Sequence, residues 1–327
     1  MSQASWSQLF ASLYRASVTA AGPRPARSTV RLGLISEGTN TWPLYVAQSL
    51  ELFGREGIAV EVTLTGSSVK QQEGLIAGRF DIGFQQADHV VRATERGSDL
   101  FIFMPHGHAP DLTLVGAPGI REIGQLRGRK IAVDGARTGY ALLLRRLLRE
   151  HGLTETDVTL EEVGGSRERF DAMKSGAPAA SMLNPPFDAT LIAEGYTSLA
   201  RMSERFPSYP GSVMAARRSW AETHEAALLA FIRAFNAACS WLEDPANAQR
   251  ALAMLPERLA IAPRAAAASL QKLGSRARPR ITDEGLQQVI DTVWAAESYG
   301  GEKGAPAKYM DLAYMQRALE SGCAGRP

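Results

Sequence analysis

The strongest constraint on the fold is a pattern of strand, turn and helix that occurs twice along the chain. Six segments show the apolar alternation or the short apolar run that is typical of strands. They lie at 30–35, 58–64, 80–84, 129–133, 158–163 and 179–183. Strands that alternate with helices form parallel sheets with right-handed crossovers. The sequence therefore predicts an α/β protein with two lobes, each a mostly parallel sheet flanked by helices.

The chain length supports two lobes, because 327 residues exceed what one compact core usually holds. The two groups of strands predict a first lobe of residues 29–115 and 205–327 and a second lobe of residues 116–204. After Pro210 the sequence becomes rich in alanine and helical in pattern. Since parallel sheets are covered on both faces, we expect these C-terminal helices to pack on the first lobe.

The N-terminal segment 1–28 is interpreted as an appendage outside the fold or as an atypical signal segment. It contains no acidic residue, and Arg15 interrupts its apolar stretch, whereas an export signal has its positive charge before an unbroken apolar run. The segment leaves two locations open, periplasmic if the N-terminus is processed and cytoplasmic if it is not. No stretch has the ~18 to 20 uninterrupted apolar residues that span a bilayer, so no membrane-spanning segment is predicted.

Charge and cysteine content argue against several classes of function. The 36 basic and 34 acidic side chains give a net charge of +2, and the basic residues are scattered, so we expect no nucleic-acid partner. Cys239 and Cys323 lie far apart in sequence and form no CxxC pair, which predicts neither a disulfide framework nor a metal cage. The sequence predicts no cofactor and no metal site.

Polar turns follow the predicted strands at their carboxyl ends. Ligands bind at these ends in open α/β sheets, because helix N-termini there present unpaired N–H groups and a partial positive charge. The candidate binding residues in these turns are Asn40, Thr41, Trp42, Ser67, Ser68, Gln86, Asp88, His89, Thr138, Gly139, Tyr140 and Asn184. Ser67, Ser68 and Thr138 are equally suited to cap helices. The convergence of five such turns predicts a ligand cleft between the lobes.

Two groups of histidines allow alternative interpretations. His106, His108 and Asp111 are residue types found in metal sites and acid–base pairs, but the neighbouring glycine and prolines favour a loop where the chain crosses between the lobes. His89, beside Asp88, is the candidate for a pH-sensitive contact, since the unperturbed histidine pKa is about 6.5.

Several segments resemble a known family in their order and spacing. They are Trp42–Ala47, Gly57–Glu61, Gly78–Gly83 and Leu126–Val133, within a region of similarity from Val30 to Ala200. Together they resemble the nitrate-, sulfonate-, taurine- and thiamine-pyrimidine-binding proteins of ABC importers. The resemblance implies a periplasmic-binding-protein-like fold that closes on its ligand about a hinge. Carried over by position, the family's binding turns correspond to the candidate residues above, apart from Asp88 and His89.

The resemblance implies a solute-binding protein that captures a small anionic or aromatic organic molecule, of the sulfonate, carboxylate, nitrate or pyrimidine type. Its partner is then an ABC permease, and a monomer suits that role. Two alternatives remain open. One is a cytoplasmic enzyme on the same scaffold, such as an aromatic-acid decarboxylase with His89 or Asp88 as the proton donor. The other is a ligand-sensing regulatory protein, which needs no export.

Overall fold

Two five-stranded sheets form the framework of the protein. The computed structural model describes residues 28–107, 109–259, 261–274 and 280–323. The predicted N-terminal appendage lies outside the described residues except for Ser28, which begins the first strand. The strands of the described part are β1 (Ser28–Leu34), β2 (Ile58–Leu64), β3 (Ile82–Gln86), β4 (Leu100–Pro105), β5 (Thr113–Gly116), β6 (Arg129–Val133), β7 (Val158–Glu162), β8 (Ala180–Leu183), β9 (Thr197–Arg201) and β10 (Ser212–Arg217).

Each sheet is mostly parallel and contains one reversed strand. The first sheet has the order β2-β1-β3-β10-β4, and β10 is antiparallel to both of its neighbours. The second sheet has the order β7-β6-β8-β5-β9, and β5 is antiparallel to both of its neighbours. The other strand pairs are parallel. This topology, with helices on the sheets, confirms the predicted fold class.

The chain crosses between the sheets twice in the described part. It leaves the first sheet after β4, which ends at Pro105, and enters the second sheet at β5, which begins at Thr113. It returns through residues 206–211 to β10. Because β5 begins at Thr113, the chain is already in the second sheet before residue 115, where the sequence analysis ends the first segment of the first lobe.

The helices cover the sheets and connect successive strands. Those of the described part are α1 (Trp42–Ser49), α2 (Leu52–Arg55), α3 (Ser68–Ile76), α4 (Ala87–Glu95), α5 (Gly139–Glu150), α6 (Ser166–Lys174), α7 (Phe187–Ala193), α8 (Met202–Arg205), α9 (Arg218–Thr223), α10 (Glu225–Glu243), α11 (Ala248–Leu259), α12 (Pro263–Gly274), α13 (Asp283–Glu297) and α14 (Ala313–Cys323). Short 3-10 turns at Thr39–Thr41, Ile123–Leu126, Pro245–Asn247 and Pro306–Lys308 complete the connections.

Hydroxyl side chains set the first residues of two helices that begin near the cleft between the sheets. The Ser67 oxygen accepts a hydrogen bond from the backbone N–H of Lys70 at the start of α3, at 3.4 Å. Thr138 accepts from the N–H of Ala141 in α5 at 3.3 Å. Such caps satisfy N–H groups that have no acceptor within their own helix. Both helices therefore begin directly after a strand of the parallel part of a sheet.

The apolar core has one part within the first lobe and one part that joins the lobes. The first part lies between the first sheet and α1, α10, α11 and α14. The second part includes Val91 of α4, Leu144 of α5 and Val289 of α13 in a single cluster of buried residues. The C-terminal helices thus pack on the first lobe, as the sequence predicts, and α13 also packs on α5 of the second lobe.

Helix α10 alone among the described helices is long and apolar enough to cross a membrane by length and composition. It packs against α1, α2 and α14 of the first lobe. Its Arg233 pairs with Glu56 at 2.7 Å, and Phe231 stacks on Phe53 at 5.5 Å between ring centroids. These contacts are those of a core helix in the first lobe.

Candidate ligand-binding site

A cavity of about 380 Å³ lies between the two sheets. Its wall includes Ser36 after β1, Gln86 at the end of β3 and His106 after β4 from the first lobe. The second lobe contributes Asp134 after β6 and Asn184 after β8. The volume lies within the range of small-molecule pockets. The carboxyl ends of strands from both lobes therefore face one shared cavity.

Four helices begin at this cavity. Pro43 in the first turn of α1, Gln86 before α4, Tyr140 in the first turn of α5 and Ser166 at the start of α6 all line it. A helix N-terminus carries a partial positive charge of roughly half an elementary charge. The combined field of these helices favours negative charge in the cavity.

Arg169 of α6 places a full positive charge at the cavity wall. Its side chain is buried, with the residue 5% exposed, and its nitrogens donate to the carbonyl oxygens of Met182, at 3.0 Å, and Gly164, and to the Ser166 hydroxyl at 3.0 Å. All three acceptors are neutral. Burial lowers the pKa of Arg169, whereas the nearby carboxylates of Asp134 and Glu168 raise it, and a guanidinium stays charged at any such pKa.

Arg169 makes no ion pair in the part of the chain that the structure describes. A buried charge that makes no direct ion pair is costly, even though the Asp134 and Glu168 carboxylates lie nearby. The guanidinium lies at the wall of a cavity, so an anionic group of a ligand is well placed to supply the missing charge.

Other polar atoms of the cavity wall are buried and have no hydrogen-bond partner in the described protein. They are Oδ1 of Asn40, both amide atoms of Gln85, Oε1 of Gln86 and Nε2 of His106. More than nine in ten buried polar groups in proteins have a partner. Several unpartnered polar atoms at one cavity therefore indicate groups that bind something other than the protein itself.

His106 is held in its neutral form at the cavity wall. Its ring packs against Phe84 at 4.6 Å and Phe235 at 5.7 Å between centroids, and Nδ1 lies 2.8 Å from the Ser212 hydroxyl. Burial lowers the pKa of His106 to about 4. A neutral imidazole offers one donor and one acceptor, so His106 contributes polarity without charge near neutral pH.

Three carboxylates also line the cavity: Glu243 on α10, and Asp111 and Asp134 at its interlobe part. Asp134 accepts hydrogen bonds from the hydroxyls of Ser68, at 3.2 Å, and Thr138, at 2.9 Å. Burial, together with the carboxylates of Asp88, Asp111 and Asp134, raises the pKa of Tyr140, which keeps its phenol protonated. A ligand that carries an anionic oxygen together with an N–H or O–H donor would match both the cationic and the acidic parts of this wall.

The structure brings four of the twelve sequence-predicted binding residues to the cavity wall. These are Asn40, Gln86, Tyr140 and Asn184. The other eight lie outside the wall: Thr41, Trp42, Ser67, Ser68, Asp88, His89, Thr138 and Gly139. Most of the eight make specific contacts elsewhere, and those contacts explain why polar residues occur in the same turns.

Ser68, Asp88 and Gly139 bond to the opposite lobe instead of facing the cavity, and Thr138 bonds within its own lobe. Ser68 of the first lobe and Thr138 of the second both donate to Asp134. The Gly139 N–H donates to Asp88 at 2.7 Å across the lobes. Asp88 also pairs with Arg92. Burial by itself raises the pKa of Asp88. The combined effect of His89, Arg92 and the Gly139 N–H is larger and opposite, so the pKa of Asp88 lies below its ordinary value.

The remaining residues have local roles. Trp42 is fully buried in the first core cluster. The Thr41 hydroxyl bonds to Gly38 and Tyr45 at the start of α1. His89 pairs through Nδ1 with the Gln72 amide oxygen at 3.1 Å, and Ser67 caps α3.

Sequence reasoning did not identify Arg169 or the part of the wall formed by the C-terminal helices. Arg169 follows the turn Gly164–Gly165 after β7, which has the same strand–turn–helix pattern as the other candidates. Helix α6 begins at Ser166, so Arg169 lies in its first turn, which is not among the candidate turns predicted from the sequence. His106 was interpreted as a loop residue, and it does lie in a lobe crossing, but its ring faces the cavity.

His108 lies outside the described residues. Among those that are described, no three His, Cys, Asp or Glu side chains come together in a group able to hold a metal ion.

Comparisons with known proteins agree with this architecture. Residues 24–256 match the model of the NMT1-like family. A solved structure from Bordetella bronchiseptica RB50 has a TM-score of 0.75 at 21% identity, covering 91% of this chain and 98% of that one. The periplasmic nitrate-binding protein NrtA from Synechocystis PCC 6803 has a TM-score of 0.75 at 13% identity, covering 91% and 89%.

The alkanesulfonate-binding protein SsuA from Xanthomonas axonopodis pv. citri, bound to MOPS, has a TM-score of 0.71 at 18% identity, covering 89% of this chain and 100% of that one. At such identities a structural likeness establishes the fold alone. A search of curated proteins finds no significant match.

Proposed function

The chain belongs to the NMT1-like family, and from that premise we propose that it is a solute-binding protein that captures a small organic anion between its lobes. The proposed ligand is of the sulfonate or carboxylate type, and the proposed partner is an ABC permease that receives the ligand. The fold is shared with proteins whose names state that they bind alkanesulfonates and nitrate, which supports the proposal.

The observation that carries the proposal is the buried guanidinium of Arg169 at the wall of an interlobe cavity. Its hydrogen-bond acceptors within the described structure are neutral, and four helix N-termini point their positive ends at the same space. A sulfonate or carboxylate accepts paired hydrogen bonds from a guanidinium. The amides of Asn40 and Gln86 and the phenol of Tyr140 would bind further oxygens.

Ligand capture would follow a population shift. The cavity wall combines residues of both lobes, so a ligand makes its full set of contacts only when the lobes are closed, and it therefore favours the closed form. We place the hinge in the two connections between the sheets, one between β4 and β5 and the other between α8 and β10. The lobes then correspond to the predicted first lobe (29–115 and 205–327) and second lobe (116–204), with the first boundary moved to just before β5.

A periplasmic monomer, produced by removal of the N-terminal segment, is the form that this role requires. Cell fractionation with mass spectrometry of the recovered chain tests this point. A trimmed chain in the periplasm supports delivery to a permease, whereas an intact chain in the cytoplasm would favour the sensor or the enzyme.

Ligand binding is tested by a thermal-shift screen with sulfonates, carboxylates, nitrate and pyrimidines, followed by calorimetry. A ligand at a hundred times its Kd stabilises the folded protein by about 2.7 kcal/mol. Arg169→Gln should abolish the shift given by anions, and Arg149→Gln, at an exposed position of α5, is the matched control. Unchanged anion affinity in Arg169→Gln would refute the proposed anion site, and catalytic turnover of a stabilising compound would replace the binder with an enzyme.

A further inference from the structure

One side of the cavity is formed by the C-terminal helix α10. Its cavity-lining residues are Ile232, Phe235, Asn236, Cys239, Leu242 and Glu243. Their spacing of three, one, three, three and one residues places all six on one face of a helix. From Ile232 to Leu242 this face extends over about 15 Å at 1.5 Å per residue. A cavity wall of that length exceeds what an inorganic anion or a one-carbon sulfonate can contact.

Helix α14 completes this side of the cavity with Met315 and Leu319, which are four residues apart on one face. Both are partly exposed. We call Ile232, Phe235, Cys239, Leu242, Met315 and Leu319 the C-terminal wall. Its members are apolar or weakly polar, in contrast to the amides, hydroxyl and guanidinium contributed by the turns between the lobes. Thioether and thiol groups adapt to irregular apolar shapes.

Three aromatic rings connect the polar end of the cavity to the C-terminal wall. Phe84 of β3 lies 4.6 Å from His106 and 5.7 Å from Phe235, measured between ring centroids. His106 and Phe235 are 5.7 Å apart. Phe235 is a residue of α10, so the His106 ring, whose Nε2 has no partner in the described protein, packs directly against the C-terminal wall. The polar and apolar parts of the wall are continuous, so one molecule can contact both.

We propose that the ligand is an amphiphilic anion whose charged group binds at Arg169 and whose apolar portion lies along the C-terminal wall. This inference rests on the proposed function and specifies its ligand. Glu243 and Arg280, both exposed and both lining the cavity, mark its solvent end. The apolar portion extends from the ring cluster toward that end.

The proposal predicts a chain-length dependence of affinity. Each methylene that moves from water onto the C-terminal wall should strengthen binding by up to roughly fourfold. Calorimetry on the full chain with methane-, butane-, hexane- and octanesulfonate measures this directly. The expected result is a steady fall in Kd from butane- to octanesulfonate. Equal affinities across the series would refute the proposed apolar portion of the ligand while leaving the proposed anion binding intact. If no sulfonate of the series binds, both the proposed anion binding and the proposed amphiphilic ligand are refuted.

Variants in α14 locate the apolar portion. Met315→Trp enlarges a side chain of the C-terminal wall that lines the cavity, and it should remove most of the gain from methane- to octanesulfonate while methanesulfonate binds as before. Met254→Trp is the matched control, because Met254 is also partly buried, on α11, and does not line the cavity. A full chain-length gain in Met315→Trp would overturn the assignment of the tail to this wall.

Cys239 supplies a second measurement that does not depend on a core substitution. It forms no disulfide and is partly exposed at the cavity wall. In a Cys323→Ser background, octanesulfonate at saturating concentration should slow maleimide labelling of Cys239 at least tenfold. Methanesulfonate at saturation should slow it far less. Equal protection by both sulfonates would show that closure, and not the tail, covers the thiol, and would count against the proposal.

Discussion

Glu297 connects the two lobes through three arginines, so Glu297→Gln is a direct test of what holds them together. The carboxylate at the end of α13 lies 3.0 Å from Arg92 and 3.1 Å from Arg96, both on the first lobe. It also lies 3.1 Å from Arg137 on the second lobe. The Glu297 side chain is only 7% exposed, and the amide variant keeps its shape while removing its charge.

The expected loss of unfolding free energy in Glu297→Gln follows from how deeply each arginine partner is buried. Arg96 and Arg137 are 61% and 74% exposed, and exposed ion pairs contribute only about 0–1 kcal/mol each. Arg92 is 7% exposed, and loss of one partner of a buried pair costs about 3–5 kcal/mol. Because Arg92 keeps its second partner, Asp88, we expect a loss below that range, about 2–3 kcal/mol at pH 7.

The direction of the pKa shift of Glu297 predicts how the stability difference between the wild type and Glu297→Gln changes with pH. Burial raises the pKa of Glu297, but Arg92, Arg137 and Arg96 outweigh it, and the pKa lies below its ordinary value. A carboxylate with a depressed pKa contributes stability that is present above its unfolded pKa of about 4.3. That contribution is lost as the pH falls through the folded pKa. The difference between wild type and Glu297→Gln should therefore shrink in acid.

Urea unfolding followed by circular dichroism, at pH 7 and at several lower pH values, measures this difference. Glu302→Gln is the control, because Glu302 is exposed on the same C-terminal segment. The control should unfold like the wild type at every pH. The reasoning fails if Glu297→Gln is as stable as the wild type at pH 7, or if its loss of stability is the same at every pH.

Three further substitutions probe the lobe interface and the cavity. Gly139→Ala would place a Cβ 2.5 Å from Oδ1 of Asp88. It would disturb a buried hydrogen bond to a charged group and should lower the free energy of unfolding by about 1.5–3 kcal/mol. Gly124→Ala is the control, because its Cβ would have no atom within 4 Å, and it should unfold like the wild type. His106 has its pKa lowered by burial to about 4, against about 6.5 when unfolded, so stability should fall by up to about 3 kcal/mol between pH 6.5 and 4. His106→Gln should remove that part of the slope, and an unchanged slope would contradict the assignment. Asn40→Ala removes an unpartnered amide oxygen from the cavity wall, and it should weaken ligand binding by about tenfold in calorimetry while the melting temperature without ligand stays the same.

The pattern of strands was predictable because it depends on local alternation of apolar residues. The second and fourth predicted strands, 58–64 and 129–133, match β2 and β6 residue for residue. The third predicted strand is displaced by two residues, since β3 begins at Ile82. Just before β3, Asp81 bonds to Arg31 of β1 through its own backbone N–H, at 2.8 Å, and its carboxylate accepts hydrogen bonds from the Arg31 backbone N–H and guanidinium. The apolar pattern of the sequence contains no record of these long-range contacts.

The location of the site was partly predictable, and the identity of its residues was not. Asn40 and Asn184, at turns after strands, do line the cavity, whereas Ser68 and Thr138, at similar turns, bond to Asp134. All four are polar residues at equivalent points of the strand–turn–helix pattern. No local property of the sequence distinguishes a side chain that faces the cavity from one that bonds to the protein itself.

By itself the sequence determined the α/β class, the two series of strands and the gathering of polar turns at strand ends, because these follow from periodicity and from short-range caps. Only the tertiary structure decided which polar groups are left for a ligand. Gly139 and Asp88 are 51 residues apart, and Arg137 and Glu297 are 160 apart. Contacts over such separations satisfy some buried groups and leave others, such as Arg169, with only neutral hydrogen-bond acceptors. Which buried groups are left for a ligand depends on how the two lobes pack together, and local sequence patterns do not determine that packing.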